Sequence, residues 1–353
     1  MTALWIAQSH ASQRDVVSLI RGSEDWAVVL ASHAKPREDI LAVADASFAE
    51  PNDTDLGPIP GCGYGEWVEQ VAKHRDVAAV LCTRHREALS DLRGRFASFG
   101  VRLATGASTS ENAFAVENKD VFAKRIEGIA PLPRTKRVDG AEEFVAALKE
   151  FDDVERLCVK PVNGIFGRGF LQIDPKAGLL DALTALHGRS VSSEVLAHAL
   201  ASAKNPEPML LMEYLPGEEY SIDMVCDDGR VIAAVSRHKT AHYQIIETRG
   251  PQVEIARAVA AEMRLDGIVN VQTRGGADGR QNILEANARI AGGVAYSAPA
   301  GVNLPAIWAR HATGRSVIVK HLAEPVAVRI NASAFALPET SALLSSATTE
   351  TAA

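Results

Sequence analysis

The sequence lacks most of what would announce a membrane protein, a nucleic-acid binder or a disulfide scaffold. No window approaches the roughly 18 uninterrupted apolar residues of a membrane-spanning helix. There is no basic surplus: 37 Lys and Arg stand against 44 Asp and Glu, a net charge of −7. A phosphate backbone needs clustered cations, so this balance argues against a nucleic-acid surface. Cysteines number four (Cys62, Cys82, Cys158 and Cys226), and no CxxC pair occurs among them. Cys82, Cys158 and Cys226 sit in apolar, strand-like runs and read as buried reduced thiols. The first residues carry no basic stretch and no long apolar core, so no signal peptide is read and a cytoplasmic location is expected. What remains is an ordinary globular composition, 47% hydrophobic and 23% charged over 353 residues. At ~150 residues per domain that length corresponds to about two to three domains.

Short apolar runs alternate with helical patterns over the first part of the chain. Strands are expected at 3–7, 26–31, 77–82 and 101–104, with helices at 13–20, 37–44, 66–73 and 87–99. Such alternation implies a parallel sheet covered by helices on both faces. The pattern then changes. A helix is expected over 112–127, ended by Gly128, Pro131 and Pro133. Strands follow at 157–160, 170–173 and 209–214, with a helix pair at 179–186 and 193–203 between the last two. Asp227-Asp228-Gly229 joins strands 220–226 and 230–236 as a hairpin, and Gly275 to Gly279 joins 268–274 to 282–286. Helices at 252–263 and 304–313 and a last strand at 326–330 complete the pattern. The Ser/Thr/Ala-rich stretch 338–353 has little to bury and reads as a disordered tail.

Three segments carry chemistry. In the first, a strand ends in Lys160 and runs into a loop with Gly164, Gly167 and Gly169. Glycines let backbone N–H groups approach an anion, and the lysine adds a point charge. No Gly-Lys-Ser/Thr and no helix follows, which excludes a Walker loop, and the context is not that of a dinucleotide fingerprint. A glycine-rich hairpin with a surface lysine is the plain alternative. The second segment is Asn270-Val271-Gln272 with Glu285-Ala286-Asn287-Ala288-Arg289. Residues two apart on a strand share a face, so Glu285 and Asn287 project together, and pairing with Gln272 would bring all three into one place. One carboxylate and two amide oxygens suit a hard cation such as Mg²⁺, while Arg289 offers a bidentate donor to phosphate oxygens. The alternative is a solvated polar hairpin face. In the third segment an apolar strand ends at Glu213-Tyr214-Leu215, turns at Pro216-Gly217 and resumes with Glu219-Tyr220-Ser221-Ile222-Asp223. Such a junction can read an adenine edge and a ribose, or be a β-turn with surface acids.

In this order, together with Asn118-Lys119-Asp120 and the Pro-Leu-Pro of 131–133, these segments resemble the ATP-grasp superfamily over roughly 111–315. The similarity is to the branch of the carbamoyl-phosphate synthetase large subunit and the carboxylate–amine ligases. The resemblance implies an α/β (α+β) chain, with an N-terminal parallel-sheet domain preceding an ATP-grasp fold that carries a lid. The expected divisions are 1–108, a connecting segment 109–136, a lid subdomain 137–212, a C-terminal subdomain 213–331 and the tail 332–353. By the same resemblance Lys119 and Lys160 contact ATP phosphates, and Gly164, Gly167 and Gly169 form the closing loop. Glu213, Tyr214 and Leu215 lie beside adenine, and Glu219 binds ribose. Gln272, Glu285 and Asn287 hold Mg²⁺, two ions being expected, and Arg289 stabilises the phosphoryl group. Ala288 stands where the family often has proline, which removes a fixed φ but no ligand.

The activity so implied is ADP-forming ligation: a substrate carboxylate is phosphorylated and an amine attacks the acylphosphate. A carbamoyl-phosphate-synthetase-like phosphorylation of a small acid and a catalytically silent nucleotide-binding module are the alternatives. Substrate contacts are sought at Arg237, His238 and Lys239, at Gly292 and Gly293, and in the loop Gly61-Cys62-Gly63-Tyr64-Gly65. Partners are expected to be small molecules and a second copy in a homodimer, with neither nucleic acid nor membrane.

Overall fold

The computed structural model describes residues 1–9, 12–56, 63–163, 167–186, 188–240 and 242–331. The expected positions Gly61, Cys62 and Gly164 and the stretch 338–353 lie outside the described residues.

Three sheets follow one another along the chain. The first contains β1 (Thr2–Ile6), β2 (Ala27–His33), β3 (Ala46–Ala49), β4 (Val77–Leu81) and β5 (Arg102–Ala104). Its order is β3-β2-β1-β4-β5 and every pairing is parallel, as the alternating pattern predicts. β1 shows why it sits at the centre. Leu4 and Ile6 belong to one apolar core and Trp5 to another, so the strand is covered on both faces. A two-residue strand, β6 (Gly106–Ala107), then crosses to the third sheet.

The second sheet has β7 (Thr135–Val138), β8 (Leu157–Pro161), β9 (Leu171–Ile173), β10 (Ser190–Val191) and β11 (Met209–Glu213), ordered β10-β9-β8-β11-β7. Val159 and Leu211, opposite one another, pack against Phe144 and Leu196 of the covering helices. Their neighbours Cys158, Leu210 and Met212 point the other way and form a small apolar cluster with Phe170 and Tyr214.

The third sheet holds β12 (Glu219–Asp227), β13 (Arg230–Lys239), β14 (Gln244–Glu247), β15 (Leu265–Gly275), β16 (Gln281–Asn287) and β17 (Val326–Val328). The order is β16-β15-β12-β13-β14-β17, with β6 added on β15. Along β12, Ile222, Met224 and Cys226 face the helix Pro251–Glu262 and its core, while Val225 faces the core shared with the first sheet. Trp308, from the helix Leu304–Ala312, is buried in that shared core. The first and third sheets are therefore fixed against each other by apolar packing. On the Val225 face of β12, the preceding residues Glu219, Ser221 and Asp223 are polar, and this polar end is where the site forms.

Several elements differ from the sequence reading. The helix expected over 112–127 is two helices, Ser110–Glu117 and Lys119–Ile126, broken at an extended Asn118 whose side chain caps the second by accepting from Val121 N. The helix expected over 87–99 is likewise split, into Arg86–Ser90 and Arg93–Ser98. The 37–44 helix shortens to Glu38–Leu41. β3, β6, β7, β10 and β14 are absent from the sequence reading: β3 is an exposed edge strand, β6 and β10 have two residues each, and β7 and β14 have four, too few for an alternation to stand out. Both Gly-containing hairpins form as expected, and Cys82, Cys158 and Cys226 are buried free thiols.

Candidate functional site

The third sheet's register lays polar residues in rows. Glu285 lies opposite Gln272, Gln272 opposite Ser221, and Ser221 opposite Arg237. The next row is Asn287, Asn270 and Asp223, and the row on the other side is Arg274 and Glu219. Residues directly opposite in a ladder share a face, so these side chains form one continuous polar floor. The Cys158 face of the second sheet stands over it. Between them lies a cleft of about 910 Å³. Its walls include Lys119, Lys160, Gly167, Glu213, Tyr214, Leu215, Glu219, Arg237, Gln272, Glu285, Asn287, Arg289 and Gly292.

Those residues, all singled out from the sequence, are thus brought together from distant parts of the chain. Other described candidates are not: His238 is outside the lining, Gly63, Tyr64 and Gly65 belong to the first sheet's side with Tyr64 buried in its core, and Gly169, Lys239 and Gly293 stand apart too. Gly169 (φ 71°) packs beside Pro161, where a Cβ would lie 2.7 Å from that ring. Lys239 ends β13 exposed to solvent and outside the cleft lining, because the strand runs past the cleft's edge. Gly293 is absent from the lining too, but a Cβ there would meet Arg237 Nη1 at 2.4 Å, so it backs the guanidinium.

Lys160 reaches across the cleft. A bulge on β16 leaves Leu284 without a partner in the ladder, and its carbonyl accepts from Lys160 Nζ at 3.2 Å. Burial pushes the Lys160 ammonium down to about 8, against the pull of Glu285. Burial also lowers Lys119, again opposed by Glu285. Arg289 is buried and held below its usual value by desolvation and by Arg86 nearby. The cleft thus gathers Lys119, Lys160 and Arg289 around the carboxylate of Glu285, a net positive lining of the kind that binds a polyanion.

At the other end Tyr214 is flanked by Arg156, 4.2 Å from the ring centre, and Arg274 at 5.5 Å. Arg274 also donates to Gly217 O at 3.1 Å and pairs with Glu219 at 3.7 Å. Neither arginine, nor Arg189 in the wall, was singled out from the sequence. Arg274 shares the face of Gln272 at a spacing of two, and that was the available signal.

Arg237 and Asp223 form a buried ion pair, with Nε 2.6 Å from Oδ2, and Arg237 Nη2 donates to Ser221 Oγ at 2.9 Å. Asn270 Nδ2 donates to Asp223 Oδ1 at 2.8 Å and to Ser221 Oγ at 2.9 Å. Asn287 Nδ2 donates to Glu285 Oε1 at 3.2 Å and Asn270 Oδ1 at 3.5 Å. Its own Oδ1 is left as the lone-pair end. Among the described residues no cluster of three or more His, Cys, Asp or Glu side chains forms a metal site. The set Gln272, Glu285 and Asn287 is of another kind. One carboxylate with two amide oxygens fits a hard cation that keeps other positions for water and phosphate oxygens.

Comparison with known proteins gives the fold. The family described as "ATP-grasp in the biosynthetic pathway with Ter operon" matches residues 205–334. No match is found among curated proteins. Solved structures align over most of the chain. An N5-carboxyaminoimidazole ribonucleotide synthetase in its ADP complex superposes with a TM-score of 0.65 at 16% identity, over 92% of this chain and 80% of that one. An L-amino acid ligase from Bacillus licheniformis gives 0.58 at 13% identity, over 90% and 75%. The biotin carboxylase domain of the Hydrogenobacter thermophilus 2-oxoglutarate carboxylase, bound to MgADP and bicarbonate, gives 0.60 at 15% identity, over 94% and 72%.

Proposed function

We propose, from the premise that this chain has the ATP-grasp fold, that it is an ADP-forming ligase activating a small-molecule carboxylate for attack by an amine. The observation that carries the reading is the row Glu285–Gln272–Ser221–Arg237, set opposite the depressed lysine Lys160 in one cleft. A metal-type donor set and an arginine lie along one line, which is what joining a nucleotide phosphate to a second anionic substrate requires.

In this reading adenine lies against Cys158, Met212 and Phe170, with the backbone of Glu213 to Leu215 at its edge. Glu219, held by Arg274, meets the ribose. Lys119 and Lys160 take the phosphates, with Gly167 in the wall beside them. Gln272, Glu285 and Asn287 would hold Mg²⁺, which supplies charge neutralisation at the phosphates. Arg237, backed by Gly293, takes the substrate carboxylate beside Gly292. A carboxylate oxygen attacks the γ-phosphorus and ADP leaves. The amine then adds to the acyl carbon, inorganic phosphate departs, and the amine gives up a proton. Arg289 faces the charge of the transferring group, so the protein's part is positioning and charge stabilisation. The proposed divisions are a preceding domain (1–108), a connecting segment (109–136), a lid (137–212), a C-terminal subdomain (213–331) and a tail (332–353).

Incubation with Mg-ATP and pooled carboxylic and amino acids tests this. ADP, phosphate and a new amide mass are expected. AMP with pyrophosphate would overturn the acylphosphate route. Hydroxamate trapped by hydroxylamine with no amide would move the reading to phosphorylation of a small acid.

A further inference from the structure

The buried polar residues beneath the cleft form a chain with a direction. Asp223 is 1% exposed and Asn270 is 0% exposed. A carboxylate accepts and never donates when ionised, whereas an amide has one accepting and one donating end. Asp223 Oδ2 accepts from Arg237 Nε at 2.6 Å and Oδ1 from Asn270 Nδ2 at 2.8 Å. Asn270 therefore has its NH₂ toward Asp223, and its Oδ1 is left to accept from Asn287 Nδ2 at 3.5 Å. The same Asn287 Nδ2 donates to Glu285 Oε1 at 3.2 Å. Each amide fixes the orientation of the next, and the last presents an oxygen.

We propose that Asp223 is a positioning residue that sets, through Asn270, which end of the Asn287 amide faces the cleft. The inference deepens the Mg-ATP reading above and rests on it: the oxygen so presented is the proposed Mg²⁺ ligand, and an NH₂ there would repel a cation. Asp223 holds Arg237 by its other oxygen, so one buried carboxylate orients both the metal-facing amide and the substrate-facing guanidinium. Ser221 Oγ, accepting from both Asn270 and Arg237, braces the same pair.

Replacing Asp223 with asparagine keeps the shape and gives position 223 one donating end. With its oxygen kept for Arg237, the new amide turns NH₂ toward Asn270. Asn270 turns over, giving up its 3.3 Å bond to Ile222 O, and Asn287 follows, giving up its 3.2 Å bond to Glu285 Oε1. The polarity is repaired by exchanging the two residues. In the double variant Asp223→Asn/Asn270→Asp, position 223 donates to a carboxylate at 270, which again accepts from Asn287 Nδ2. Net charge is unchanged.

The test uses the full chain, Mn²⁺ as the metal probe and ADP as the nucleotide, with binding followed calorimetrically and by Mn²⁺ electron paramagnetic resonance. Losing a group behind a metal ligand weakens metal affinity about tenfold to a hundredfold. Asp223→Asn is expected to lose Mn²⁺ affinity in the ADP complex by that factor, while ADP without metal binds about as in the parent. The exchange variant is expected to recover most of the loss. A general structural role would instead weaken both measurements together and would not be repaired by the exchange, and that result overturns the proposal. So does unaltered Mn²⁺ binding in Asp223→Asn. If the single variant fails to fold, the exchange variant decides alone: parent-like Mn²⁺ affinity supports the polarity chain and a lost affinity overturns it. A parent chain that binds ADP no better with Mn²⁺ than without removes the Mg-ATP reading and this inference with it, whereas a failure confined to the variants removes this inference only.

Discussion

Glu285 is the only carboxylate among the three proposed metal donors, and it is also the charge that offsets the cleft lysines. Glu285→Gln keeps size and hydrogen bonding and removes both effects. Turnover should fall by about 10²–10³-fold, the order seen when one electrostatic stabiliser of a transition state is removed. The circular dichroism spectrum and unfolding midpoint should stay near the parent's, since the side chain lines a cleft and not a core. Near-normal turnover would remove Glu285 from the site. Lys160 allows a second residue-scale prediction. In the free protein its ammonium loses its proton near pH 8. A phosphate beside it favours the charged form, so the complex keeps a proton that the free protein has lost. Nucleotide binding should therefore take up a proton above pH 8, and affinity should fall as pH rises, by up to about tenfold per unit. Calorimetry in buffers of different ionisation enthalpy reads the proton directly. Lys160→Arg, charged throughout, should flatten the profile, and a parent affinity that is level from pH 7 to 9.5 would refute the assignment.

At the scale of elements, the close approach of β6 to the strand end that carries Arg289 is the tightest fit in the site's support. Gly106 has φ 93°, and a Cβ there would come within 1.9 Å of Ala288 O. Gly106→Ala meets backbone on one side and a left-handed conformation on the other, so it should cost about 2–3 kcal/mol. Because the displaced residue adjoins Arg289, activity well below the unfolding midpoint should fall as well. Thermal unfolding and rate measurements on the same preparation check both. How much of these elements could be read beforehand depends on burial. β12 was legible because Ile222, Met224 and Cys226 alternate with Ser221 and Asp223, and the hairpin glycines fixed where Gln272 meets Glu285. β3 was illegible because an exposed edge strand carries no alternation, and β7 because four residues with one buried side chain, Val138, are too short a pattern. The break at Asn118 was also missed, since its apolar neighbours keep helical spacing on both sides and only the cap interrupts them. Local pattern could place Lys160 at a strand end, but not the β15–β16 bulge at Leu284 that receives it, because the contact joins residues 124 positions apart.

For the whole molecule, the packing of the first sheet on the third decides whether the cleft keeps its shape, and a charge cluster guards the edge of that contact. Arg102 of β5 donates from Nη2 to Asp227 Oδ1 at 2.6 Å and to the fully buried Asp266 Oδ1 at 2.7 Å. Arg93 adds a contact to Asp266 at 3.0 Å, and His311 meets Asp227 at 3.0 Å. Burial alone would raise the Asp227 carboxyl, yet Arg102, with His311 and Arg230, holds it well below the ordinary range. A carboxyl depressed in the folded state contributes stability that is present above its unfolded value near 3.9 and is lost as pH falls through that value toward the folded one. Asp266 is shifted the other way by its burial, and acidification relieves part of its cost. The net acid sensitivity of this contact is therefore assigned to Asp227. Arg102→Met keeps much of the side-chain bulk and removes the charge that both aspartates share. It should cost about 3 kcal/mol at neutral pH, the order expected when a partner is taken from a buried carboxylate. The deficit should shrink between pH 5 and pH 3 as Asp227 loses its advantage in the parent as well. Denaturant unfolding of both chains across that range measures the difference, and a deficit that stays constant with pH would show that Arg102 acts by packing and not by charge.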